Sequence, residues 1–225
     1  MTDHPAPRTY GRIKGRPLRA GRAALMSDVL PGLSLDLDAG RIDPEALMPG
    51  ARETWVELGF GAGEHLAAQA AAHPDVLILG AEPFVNGVAS AVRHLGEAGV
   101  ANVRLHAGDG RDVVAALPDA SVARLFVLFP DPWPKTRHHK RRLVNDETVP
   151  EFARVLKPGG RLRFVTDWAD YAAWTLERLA RSPDFAWTAE AARDWREPPA
   201  DHVTTRYERK RLGDCAPIFL EFTRR

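Results

Sequence analysis

Between residues 54 and 167, short apolar runs alternate with segments of helical period. Residues 54–60 (TWVELGF) predict a buried strand ending at glycines, and 76–82 (VLILGAE) predict a second. Residues 64–73 (EHLAAQAAAH) predict an alanine-rich helix stopped by Pro74, and Phe84, Val88, Val92 and Leu95 mark one face of the next helix. Residues 102–109 (NVRLHAGD) and 122–133 (VARLFVLFPDPW) predict a third and a fourth strand, the latter closed by prolines. Thr148 and Glu151 have capping-box spacing and Pro150 suits a first turn, so a helix is expected through Phe152 and Leu156. Lys157-Pro-Gly-Gly160 ends it, and 160–167 (GRLRFVTD) predict a fifth strand. Strands separated by helices mean an α/β fold, a parallel sheet with helices on both faces. Residues 204–212 (TTRYERKRL) and 217–222 (PIFLEF) flank Gly213-Asp214 and predict an antiparallel hairpin at the sheet edge.

No linker divides the chain after residue 50, so a basic leading segment (1–50) and one domain (51–225) are expected. At 225 residues and 44% hydrophobic, the chain can bury a sizeable core. The single Cys215 excludes a disulfide framework and multi-cysteine metal sites. No apolar run approaches the roughly eighteen residues that span a bilayer, and no signal-peptide core is seen, so a cytoplasmic setting is expected.

Charge changes the picture more. Lys+Arg total 31 against 30 Asp+Glu, a net charge of +1, yet the distribution is uneven. Arg8, Arg12, Lys14, Arg16, Arg19 and Arg22 face one acid, Asp3, in a Gly/Pro-rich arm. Residues 134–142 (PKTRHHKRR) carry Lys135, Arg137, Lys140, Arg141 and Arg142 with no acid. Either cluster alone reads as a solvated loop. Two in a nearly neutral chain point to nucleic acid, because phosphate contacts need local excess of charge.

The strand ends hold Glu57, Glu82, Asp109, Asp131 and Asp167, where open α/β sheets bind ligands. Gly59, Gly61 and Gly63 allow a tight turn, but Glu64 stands where the dinucleotide fingerprint has its third glycine. An acid there opposes a pyrophosphate, so the loop suits a ligand without phosphates. Glu82 is placed to accept hydrogen bonds from ribose hydroxyls, or else to serve as a helix N-terminal acid. A phosphate-free nucleoside among carboxylates fits S-adenosylmethionine, whose sulfonium is cationic. Asp131 lies between two prolines beside Trp133, a stiff platform on which an indole stacks a base and the acid accepts from its edge. A turn with a packed Trp is the plainer reading. His138 and His139 read as RNA contacts or loop residues, and no metal is expected.

The stretches VELGFGAG, LGAEPF, GDGRDV, LFPDPWPKTRHHKRR, FVTDW and TRYE (205–208) together resemble the bacterial tRNA (guanine-N7-)-methyltransferases, a class I family. The resemblance implies a Rossmann-like, mostly parallel seven-stranded sheet with a C-terminal antiparallel hairpin. It implies S-adenosylmethionine as co-substrate and N7 of a variable-loop guanosine, position 46 of tRNA, as target. Glu57, Gly59, Gly61, Glu82, Asp109 and Asp131 would then contact S-adenosylmethionine, with Asp131 also the catalytic acid. Lys135, Asp167, Thr205, Arg206, Tyr207 and Glu208 would hold the guanosine. Arg137, His138, His139, Lys140, Arg141 and Arg142 would contact RNA, with tRNA the partner of a monomer or homodimer. The chemistry agrees: N7 has a free lone pair, so no general base or activated nucleophile is required. Two rivals remain, a methyltransferase acting on an exocyclic amine and a non-catalytic RNA-binding module on the same scaffold.

Overall fold

The computed structural model describes residues 10–38 and 40–225; Arg8 and the rest of the arm's first nine residues lie outside the described residues. The strands are β1 (Glu53–Leu58), β2 (Val76–Ala81), β3 (Val103–His106), β4 (Val122–Leu128), β5 (Leu156–Thr166), β6 (Phe185–Trp187) and β7 (Ile218–Arg224). They form one sheet in the order β3-β2-β1-β4-β5-β7-β6. The first five run parallel, and β7 is antiparallel to both β5 and β6. Leu58 pairs with Ala81 and Val127, Ala81 with His106 and Val127 with Phe164, so the carboxyl ends reach one edge together. The chain runs outward from β1 to β3 and then crosses back to β4. That reversal opens the ligand crevice between β1 and β4.

Among the described residues, the five helices of seven residues or more pack on the sheet: α1 (Glu64–Ala72), α2 (Val85–Ala98), α3 (Gly110–Ala116), α4 (Thr148–Val155) and α5 (Ala169–Arg181). Alternate residues of a strand face opposite sides. Trp55, Ile78 and Phe126 therefore pack with Leu66 and Val88 of α1 and α2. Val56, Leu79 and Leu125 pack on the other face with Val113, Phe152 and Tyr171 of α3, α4 and α5. Burial on both faces is why β1 and β2 read as continuous apolar runs. Leu30, Leu35 and Ile42 of the leading segment are also buried, and Leu35 N–H donates to Leu105 O at 2.8 Å.

The C-terminal antiparallel pair is present, but its first strand is Phe185–Trp187 and not 204–212. Thr205 instead caps a one-turn helix, α6 (Arg206–Arg209), its Oγ1 accepting from Glu208 N–H at 3.3 Å. At α4 the expected capping box is displaced. Asn145 Oδ1 accepts from Glu147 N–H at 2.9 Å and Thr148 N–H at 3.0 Å, while the Thr148 hydroxyl donates to Leu143 O at 2.6 Å.

Candidate active site

The glycine loop after β1 holds Gly59, Gly61 and Gly63 at φ of 77°, 56° and 80°, which disfavour any side chain. At Gly63 a Cβ would also come within 2.5 Å of Ala91 Cβ, so glycine lets α1 start against α2. Glu82 braces this loop: Oε2 accepts from Gly61 N–H and Oε1 from Phe84 N–H, each at 2.8 Å. Burial pushes the Glu82 carboxyl above its ordinary range, and those two N–H donors pull against the shift. Each oxygen keeps a second acceptor site for a ligand. Glu57 is buried with Oε2 at 2.7 Å from His65 Nδ1, and His65 packs edge-on against Phe126 at 5.0 Å. The alanine-rich reading of 64–73 passes over His65, although it stands only two residues past Gly63 of the glycine loop. Asp109 caps α3 through Arg111 N–H at 3.0 Å and is ion-paired with the Arg111 guanidinium. It meets the crevice as half of an ion pair.

After β4 the chain leaves the sheet through Phe129 and Trp133, both left-handed at φ of 49° and 45°. Asp131 stands between them and is exposed. Among the described residues its carboxylate has no hydrogen-bond or ion-pair partner, and desolvation holds its pKa above the usual carboxylate range. Residues 10–16 cross the crevice in front of it, a placement that composition alone does not reveal. Ile13 O accepts from Val85 N–H at 3.0 Å, and Arg16 O from Asn86 Nδ2 at 2.9 Å. Arg12 lies 5.7 Å from the Phe84 ring, and a Cβ on Gly11 would sit 3.4 Å from Asp131 Oδ2.

The basic segment forms a 3-10 helix, Thr136–Arg141. Lys135, Arg137 and Lys140 are exposed, as an RNA surface requires. Arg141 lies over Trp133, 4.9 Å from its ring centroid, and over Tyr10 of the arm at 5.2 Å. The indole expected to stack a base therefore already carries a guanidinium. His138 meets Trp133 edge-on at 6.0 Å; desolvation and the cations Arg141, Arg137, Lys135 and Lys140 lower its pKa.

Two residues of this run face inward, against the expectation of RNA contact. Arg142 is 1% exposed, pairs with Asp170, and stacks on Tyr171 and Trp174 at 4.8 and 5.0 Å. Its Nε donates to Pro132 O at 3.0 Å, so it anchors the proline platform from below. His139 packs on Trp174 at 5.2 Å, with Nε2 3.5 Å from Asp170. A guanidinium is tolerated there because aromatic faces and a carboxylate replace water. Arg142→Ala is expected to cost about 2–3 kcal/mol of stability, through the lost packing and an unsatisfied Pro132 carbonyl, as read by denaturant unfolding.

Asp167, at the end of β5, organises the opposite lip. Its Oδ2 accepts from Gly213 N–H at 2.9 Å, its backbone O from Cys215 N–H at 3.1 Å, and Oδ1 from Tyr207 OH at 3.4 Å. Tyr207 packs on Phe129 with ring centroids 5.3 Å apart, and burial and then Asp167 raise its pKa. Glu208 is held by His202 Nε2 at 2.9 Å. Asp167, Thr204, Glu208 and Arg211 line an open cleft of about 550 Å³. Thr205, Arg206, Tyr207 and Glu208 are thus brought to one lip, with the Arg206 side chain exposed. No cluster of three or more His, Cys, Asp or Glu that could hold a metal is found among the described residues. No helix among them is long and apolar enough to cross a membrane.

Residues 51–219 match a family described as "Putative methyltransferase". The tRNA (guanine-N(7)-)-methyltransferase of a Caulobacter species is 59% identical over 98% of this chain and 96% of its own length. The chain belongs to the tRNA (guanine-N7-)-methyltransferase family. The enzyme of that name from Rhodospirillum rubrum is 50% identical, covering 97% of this chain and 88% of its own. Among solved structures, an rRNA methylase from Streptococcus thermophilus superposes with a TM-score of 0.53 at 12% identity, over 80% of this chain and 93% of that one. A 16S rRNA (adenine(1408)-N(1))-methyltransferase from Catenulisporales acidiphilia, crystallised with its cosubstrate SAM, gives 0.51 at 20% identity, over 86% and 94%. These two share the fold. Within this methyltransferase the strand-end acids divide clearly: Glu57, Glu82, Asp109 and Asp167 are engaged by neighbours, and Asp131 has no hydrogen-bond or ion-pair partner among the described residues.

Proposed function

We propose that the chain transfers the methyl group of S-adenosylmethionine to N7 of a guanosine in the tRNA variable loop, with Asp131 facing the reacting base. The observation that carries this reading is Asp131, a carboxylate without a partner among the described residues, on a platform between the crevice and a run of exposed cations. S-adenosylmethionine fits the crevice residues: the glycine loop approaches without side chains, and Glu82 keeps ribose-facing acceptor sites. Glu57, with one oxygen taken by His65, has the other for the methionine ammonium. When bound, the co-substrate supplies an electrophilic methyl carbon on a sulfonium.

The N7 lone pair forms the new N–C bond as the C–S bond breaks and its electron pair returns to sulfur. No proton moves in that step. Positive charge passes from sulfur to the purine, and Asp131 favours it there electrostatically while aligning the base. Asp167 and Glu208 are acceptors suited to the donor edge of guanine, its N1–H and N2–H₂. Residues 51–225 thus carry the transfer, residues 10–16 strap the crevice, and tRNA as substrate implies a cytoplasmic setting. Incubation of unmodified tRNA with methyl-labelled S-adenosylmethionine, followed by nucleoside digestion, should yield N7-methylguanosine as the labelled product. Label in another nucleoside, or none, would overturn the reading.

The exposed cations have their own readout. Arg137→Ala with Lys140→Ala should flatten the plot of log tRNA affinity against log salt by about one and a half units, at ~0.7–0.9 per lost phosphate contact. Affinity for S-adenosylmethionine should stay at the wild-type value by calorimetry. An unchanged salt slope would move the RNA surface to the arm.

A further inference from the structure

Surface cations of this protein fall into two kinds. Arg52, Arg93 and Arg181 each have a carboxylate within 3.1 Å. The run Arg206, Arg209, Lys210 and Arg211 does not. All four are exposed, and among the described residues none has an ion-pair partner. Arg209 alone makes a side-chain hydrogen bond, to Thr204 O at 3.0 Å. Glu208, the one acid among these six positions, is already bonded to His202, so the four cations stand in local excess and repel one another unless a further anion lies against them.

The fold also holds this run still. Thr205 caps α6, Glu208 is fixed by His202, and Arg211 N–H donates to Glu208 O at 3.1 Å. Arg211 itself adopts a left-handed φ of 48°. Gly213 then locks to Asp167, where a Cβ would come within 2.0 Å of the Asp167 carbonyl oxygen. Leu212, between the cations and this lock, is 59% exposed, an apolar face of the kind a ribose or base covers. Arg209 and Arg211 line the same cleft as Asp167 and Glu208. Tyr207 packs on Phe129, the residue that leads into the proline platform, while Lys135 to Arg141 follow that platform.

We infer that residues 206–211 form a second grip on RNA. Its partner is the tRNA phosphate backbone on the side of the target guanosine away from Arg137 and Lys140, an inference that rests on the tRNA reading above. The strand is held on both sides of the cleft, which lets one nucleotide turn out of its stack between two fixed backbone points.

The test uses the full chain with Lys210→Gln and Arg211→Asn together, Asn being chosen because it tolerates a left-handed backbone. Filter binding of unmodified tRNA at five salt concentrations should give a slope flatter than wild type by about one and a half units. Combining these changes with Arg137→Ala and Lys140→Ala should add the two effects, to roughly three units, because the two surfaces hold different phosphates. Calorimetric affinity for S-adenosylmethionine should match the wild type, which shows that the crevice is intact. A wild-type slope in the double variant, while the wild-type protein still methylates tRNA, overturns the second grip and leaves the methyltransferase reading standing. A flatter slope without additivity overturns the two-sided arrangement. A wild-type protein that neither binds nor methylates tRNA removes both readings.

Discussion

Asp131→Asn should lower single-turnover methyl transfer by about 10²–10³-fold, the scale on which removing one preorganised electrostatic stabiliser acts. The substitution keeps shape and removes only charge. Affinity for tRNA should stay within a few-fold of wild type, because the exposed cations are untouched. The pH dependence follows from desolvation, which raises the Asp131 carboxyl above the ordinary carboxylate range. In the role proposed for it Asp131 acts in its ionised form, so the acid limb of the rate profile should lie above the ordinary carboxylate range, and in the Asn variant that limb should vanish. The stability sign is opposite. A raised folded-state pKa means that the native protein binds this proton more tightly than the unfolded chain, so stability falls as pH rises through it. At neutral pH the Asn variant should therefore melt slightly higher than the wild type. Rates within a few-fold of wild type would reduce Asp131 to a positional role.

Glu82→Ala should weaken S-adenosylmethionine binding by about 1.5–3 kcal/mol, roughly 10- to 150-fold, as expected for hydrogen bonds to a charged acceptor. Two losses combine: the proposed ribose acceptors go, and Gly61 N–H and Phe84 N–H lose the carboxylate that sets the glycine loop. Glu82→Gln retains one acceptor oxygen and should fall between the two. Calorimetry with S-adenosylmethionine measures both variants, and wild-type affinity in Glu82→Ala would place the co-substrate elsewhere. Salt-dependent tRNA binding should not change in either.

The parallel core was legible because β1 and β2 are buried on both faces, and their apolar runs are bounded by glycine and proline. The C-terminal edge was not. Residues 204–212 have the threonine and tyrosine content of a strand, yet Thr205 and Glu208 carry capping-box spacing, and the cap forms. The same spacing at Thr148 and Glu151 loses to Asn145, which takes the Thr148 N–H that Glu151 would have accepted, while the Thr148 hydroxyl turns to Leu143 O. Propensity therefore ranks candidates, and local hydrogen-bond competition decides. In the site, the strand-end acids could be named from their positions, but their partners could not. Arg142 reads as one more cation in a basic run, because burial depends on Tyr171 and Trp174 arriving from a helix about thirty residues away. Asp170, Tyr171 and Trp174 on one face of α5 were the available signal.

N7 methylation has a chemical signature that no other guanine methylation shares: the cationic imidazolium ring opens, and the strand can be cut there. Unmodified tRNA treated with the protein and S-adenosylmethionine, then with borohydride and aniline, should break at one guanosine in the variable loop. The cut should depend on both the protein and S-adenosylmethionine and be nearly lost with Asp131→Asn. Methyl incorporation with an uncut strand would contradict this, because it would put the methyl group on an exocyclic amine or another site that leaves the ring uncharged.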